Sequence, residues 1–214
     1  MFALPTPAFT AGMVLSLSLI MAIGPQNAHV LRMGLQRQHV LLTVSICIVA
    51  DVALIALGVL GPSRLGGLSD KLQGAMMGAG VVFLLMYGWQ ALLRFLRAKP
   101  VHGNTHGTPI VPAERITHWQ AARTALAFSW LNPHAWLDTA VLIGTASLAY
   151  GQPHNTVFGL GAAAGSLLWF TGWGIAVFWL GRRLGSPAIG RALDALVAVM
   201  MLGTALWLLA GLRG

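Results

Sequence analysis

Residues 40–60 read VLLTVSICIVADVALIALGVL, an apolar run with one charged residue, Asp51, near its middle. A helix of roughly 20 apolar residues spans the hydrocarbon core of a bilayer. A helix on the surface of a soluble domain is apolar along one stripe only. This run is apolar all round, so it predicts a membrane-crossing helix. Five further blocks of the same kind follow from the sequence, at 8–31, 72–96, 124–149, 156–180 and 192–212. The whole chain agrees, with 57% hydrophobic and 8% charged residues; soluble domains carry about 25% charged residues.

The expected fold is an all-α integral membrane protein with six hydrophobic segments, residues 1–214 forming a single transporter domain. Its halves cover approximately 1–96 and 119–214 and are joined by a Gly/Pro-rich loop, 97–118. With three helices in each, the halves are inverted relative to one another. The net charge of +8 does not indicate nucleic acid, because the Lys and Arg residues sit at block ends and in short loops. There they act as topology signals. Arg32, Arg37, Arg94, Arg97, Lys99, Arg115, Arg123, Arg182, Arg183 and Arg191 share one side if all six blocks cross. Only Arg64, Lys71 and Arg213 take the other. The ten-residue side is expected to be cytoplasmic, which puts the C-terminus in the periplasm of a bacterial inner membrane. Residues 1–10 lack Lys and Arg, so a cleaved signal peptide is not expected. A crossing first block puts the N-terminus outside and a re-entrant one puts it inside; both stay open.

Two blocks are interrupted in the same way. Gly24-Pro25-Gln26-Asn27 breaks the first and Leu131-Asn132-Pro133-His134 the fourth. Proline removes a backbone donor and clashes with the preceding turn, yet suits the first position of a new helix. Asn132 suits an N-cap, and Gly24 is expected to supply unusual backbone angles. Each fresh helix start exposes N–H groups and a partial positive charge, to which a carboxylate is complementary. Interrupted helices at corresponding places in two inverted halves point to a transport site.

Asp51 and Asp138 lie deep in apolar blocks. A charge there costs at least about 2.5–3.5 kcal/mol, so it normally faces a cavity, a partner or a proton path. His134 stands four residues before Asp138 on the same helix face and is a candidate proton carrier. Asp194 follows Arg191 by three residues and is expected in a helix-end ion pair. Gly161 and Gly165 have the spacing that lets helices approach closely, within the chain or in a homo-oligomer. Trp89, Trp119, Trp179 and Trp207 are expected as interfacial anchors. His102 and His106 lack an accompanying Cys or acidic cluster, so no metal site is expected there. Nor is a cofactor: no phosphate-binding loop occurs, and there is no nucleophile–base set for a membrane enzyme.

Three of these stretches resemble the motifs of one family. IGPQNAHVLRMG at 23–34, ADVALIALG at 50–58 and LNPHAWLDT at 131–139 resemble the first, second and fourth segments of the LysE/ArgO family of basic amino-acid exporters. The resemblance runs over essentially the whole chain. It implies efflux of L-arginine or L-lysine, driven by the membrane potential or a proton gradient, and it implies that Asp51 and Asp138 are paired functional acids. On this reading the two acids hold the cationic groups of the substrate. The helix starts, with Gln26, Asn27 and Asn132, hold its carboxylate. Export of another amino acid, or of a metal or other cation on Asp51, Asp138 and His134, is the alternative.

Overall fold

The sequence of helices begins with a broken pair. In the computed structural model, α1 (Pro7–Ile20) and α2 (Pro25–Gln36) meet at a bend of 71°. There follow α3 (Val40–Leu60), α4 (Asp70–Arg97), α5 (His118–Trp130), α6 (Trp136–Leu142), α7 (Ile143–Leu148), α8 (His154–Arg183) and α9 (Pro187–Gly211). The described residues are 7–21, 24–61, 70–97, 116–132, 135–183 and 187–211, and among them there is no strand. Pro133, His134 and most of the connecting loop, with Lys99, His102, His106 and Arg115, lie outside them, as do Arg64 and Arg213.

Local chemistry accounts for the ends. Pro25 occupies the first turn of α2, and the Gly24 carbonyl accepts the first helical bond, from Ala28 N–H at 3.0 Å. Gly24 itself is extended, with φ −96° and ψ 177°, so the unusual angles expected of it are not used. α2 stops where Arg37 turns left-handed (φ 55°) and donates to Gly34. α5 starts on a capping box: Thr117 Oγ1 accepts from Gln120 N–H at 3.2 Å, and Gln120 Oε1 accepts from Thr117 N–H at 2.9 Å.

Among the described residues, Val40–Leu60, His154–Trp179 and Gly190–Trp207 are single helices long and apolar enough to cross a membrane, and α1 with α2 adds a fourth if the bent pair is one span. The outer faces suit lipid. Leu41, Leu160, Val199 and the tryptophans 89, 119, 179 and 207 are all exposed. Inside, α1 lies against α8 through reciprocal backbone contacts. A Cβ on Gly12 would strike the Phe158 carbonyl, and one on Gly161 the Phe9 carbonyl. Gly165 similarly faces Met13 and Ser16 of α1. The Gly161/Gly165 pair therefore serves packing within the chain. Gly58 of α3 faces Ala140 of α6, and Gly144 of α7 faces Gly58 in turn. These approaches set α1 against α8 and the second broken segment against the C-terminal part of α3, the helix that carries Asp51.

Candidate functional site

The cavity lies where the two breaks meet. It encloses about 180 Å³ and is lined by Gly24, Pro25, Gln26, Asn27, Asp51, Asn132, Asp138 and Thr139, with Leu19, Ile20, Ala135, Phe170, Met200 and Thr204. A site needs only roughly 10–15 Å³ to hold one water. Five side chains singled out from the sequence for substrate, Gln26, Asn27, Asp51, Asn132 and Asp138, thus share one space, although they are separated by as much as half the chain. His134 falls outside the described residues.

Asp51 is 2% exposed and held from both sides. Ser166 Oγ of α8 donates to its Oδ2 at 3.0 Å, and Gln26 Nε2 of α2 donates to its Oδ1 at 3.4 Å. Gln26 Nε2 also donates to Ser129 Oγ at 3.2 Å, just before the second break. Ser129 in turn donates to the Ala125 carbonyl. A buried carboxylate requires such donors, since unpaired burial is far more costly. Gln26 therefore sets the position of Asp51 and links the two breaks.

Asn27 holds the first break together. Its Nδ2 donates to the Ile20 carbonyl at 2.7 Å, and its Oδ1 accepts from Trp169 Nε1 at 3.1 Å. The Ile20 carbonyl ends α1 and would otherwise lack a helical partner. Trp173 Nε1 adds a bond to the Asn27 carbonyl at 3.2 Å. The second break is closed in a parallel way: Trp136 Nε1 donates to the Trp130 carbonyl, which ends α5, at 2.9 Å. Asn132 lies just after α5, and its carbonyl accepts from Trp136 N–H at 3.4 Å.

Beyond this break the chain winds as a π-helix, and Ile143 N–H donates to the Asp138 carbonyl five residues back. π-Helical turns occur mostly as single-turn bulges, frequently at functional sites. Here Asp138 and Thr139 both lie on that segment and line the cavity.

Ser129, Ser166, Trp169 and Trp173 escape sequence reading. A single serine in an apolar helix leaves no imprint on composition, and the two tryptophans resemble ordinary anchors. Their spacing of four residues on one helix face is the only available signal. Asp194 does make an ion pair, but not with Arg191. Arg94 Nε donates to its Oδ1 at 3.1 Å, and Arg32 Nη1 lies 3.5 Å from the same oxygen. Arg191 stacks on Phe95 instead, 5.5 Å from the ring centre.

Broken helices around a buried polar cavity define the build of a membrane transporter. The LysE type translocator family matches residues 17–211, and the chain belongs to that family. The arginine exporter protein ArgO of Pectobacterium atrosepticum is 33% identical over 200 residues, covering 94% of this chain and 95% of the relative. The arginine exporter protein ArgO of Yersinia enterocolitica is 35% identical over 193 residues, covering 90% and 91%. No solved structure matches the chain.

Proposed function

We propose that this protein exports basic L-amino acids, arginine and/or lysine, across the bacterial inner membrane by proton antiport and alternating access. The observation that carries the reading is the shared cavity. It joins two acids, Asp51 and Asp138, to the helix start at Gly24-Pro25 and to Asn132 at the other break. A basic amino acid offers the complementary set, two cationic groups and one carboxylate. The acids take the cations, and the N–H groups that open α2 take the carboxylate. Two relatives spanning nearly the whole chain are named arginine exporters, which supports the same substrate class.

Energetics favour exchange for protons. Moving one positive charge outward against about 100 mV costs about 2.3 kcal/mol. One incoming proton per exported cation cancels the electrical term and leaves the pH gradient as the drive. Asp51, Asp138 or His134 carries that proton. The arginine-rich end is cytoplasmic, and the C-terminus is periplasmic. Residues 1–214 act as one transporter domain, with halves at about 1–96 and 119–214 rocking around the cavity.

The test is efflux of labelled arginine and lysine from proteoliposomes, with and without a pH gradient, for the unmodified protein and for Asp51→Asn and Asp138→Asn. Gradient-dependent efflux that both substitutions abolish is expected. Export unaffected by collapse of both pH gradient and potential contradicts the antiport mechanism. Transport surviving both substitutions removes the acids from the site.

A further inference from the structure

Two layers separate the cavity from the arginine-rich end of the molecule. The nearer is aromatic. His29, one helical turn past Gln26 on α2, stacks on Phe128 at 4.7 Å, and Phe128 meets Tyr87 edge-on at 4.5 Å. His29 and Phe128 are both buried. The outer layer is ionic: Asp194 of α9 gathers Arg94 of α4 and Arg32 of α2. Arg32 stands seven residues beyond Pro25, which places it about 10 Å along the helix from the break. The guanidinium of Arg94 also lies 5.6 Å over the Tyr87 ring, so the two layers are joined.

The ionic layer is loosely satisfied. Arg94 Nη2 is buried without a hydrogen-bond partner, Arg32 Nη1 reaches Asp194 only at 3.5 Å, too long for a good hydrogen bond, and one carboxylate oxygen serves both guanidiniums. Guanidinium prefers bidentate pairing with a carboxylate. Two guanidiniums around one monodentate carboxylate retain unused donors, and a second carboxylate would fill them. The proposed substrate carries one.

We propose that Arg32, Asp194 and Arg94 form the gate on the arginine-rich side, opened when the carboxylate of an incoming basic amino acid replaces Asp194 on the two guanidiniums. Asp194, once released, is free to pair with a cationic group of the same molecule. The exchange loosens the tie between α2, α4 and α9 and lets His29 and Phe128 part. The ligand chemistry rests on the proposed function; the gate itself does not.

Cys47, the only cysteine, is a built-in reporter. It is fully buried beside Gln26 and Ser129. It precedes Asp51 by four residues, about 6 Å nearer the arginine-rich end. The experiment measures the rate of Cys47 alkylation by a small maleimide in the purified full chain. The unmodified protein should react slowly, and Asp194→Asn should react about five- to thirtyfold faster, the range expected when an interaction of ordinary strength is lost. Arg94→Gln serves as a second variant, and gel filtration confirms that each is folded. L-Arginine should speed labelling of the unmodified protein, while its decarboxylated analogue, which keeps the guanidinium, should not. Equal rates for the unmodified protein and both folded variants overturn the gate. Equal acceleration by arginine and its analogue overturns the carboxylate step alone. Faster labelling of the variants, in a protein that neither binds nor exports arginine, keeps the gate and discards the substrate class.

Discussion

The two broken helices begin from the same sequence device and end in different structures. At the first break, α1 stops, the chain bends by 71°, and α2 restarts as a regular helix with Pro25 in its first turn. At the second, α5 stops and the chain resumes in π-helical winding. In both cases a side chain beyond the break donates to the last carbonyl before it, Asn27 to Ile20 and Trp136 to Trp130. The difference lies in what each presents. The first break offers the N-terminal N–H groups of α2 and Gln26, which holds Asp51. The second offers an acid, Asp138. A proline therefore specifies where a membrane helix stops, and its surroundings decide how the chain resumes.

The largest expected effect contrasts the two acids. Asp51 is buried and doubly hydrogen-bonded, whereas Asp138 is only half-buried. Asp51→Asn should weaken substrate binding by about 2–5 kcal/mol, roughly thirtyfold or more. Asp138→Asn should weaken it less, as read by binding of labelled arginine. Equal losses would mean that the regular and the π-helical break serve the substrate equally. Next come the two closures. Asn27→Leu removes a donor and an acceptor and should destabilise the detergent-solubilised protein by about 2–3 kcal/mol; Trp136→Phe removes one donor and should cost about 1 kcal/mol. Thermal unfolding compares them, and a larger loss for Trp136→Phe would reverse the order of the two repairs. Ser166→Ala withdraws one donor from Asp51 and should raise the apparent KM for efflux about tenfold, since a hydrogen bond to a charged group is worth roughly 1.5–3 kcal/mol. The smallest effect lies away from both breaks. Thr117→Val removes the cap of α5 and should lower stability by about 1 kcal/mol with transport unchanged.

Much of the site was legible because membranes make exceptions conspicuous. Asp51 stands out as the one charge in 40–60, and Pro25 and Pro133 stand out inside apolar blocks. The partners of Asp51 were not legible. Gln26 and Ser166 lie 25 and 115 residues away, and hydroxyls are tolerated in apolar helices without any pattern. The π-helical winding of 136–142 was equally hidden, because it is a choice of hydrogen-bond register and carries no composition of its own. Asp194 shows the opposite error. Its neighbour in sequence, Arg191, was the obvious partner, but Arg94, 100 residues away, lies closer in space.

The contact between Gly58 and Gly144 has a mechanical consequence. Helices usually meet through interlocking side chains, which must disengage before one can slide over the other. Here peptide backbone rests on peptide backbone, and the same is true where Gly12 and Gly161 join α1 to α8. Such surfaces have no rotamers to rearrange. A side chain added at any of these four glycines would push the paired helices apart, so each contact sets a separation that no larger residue allows.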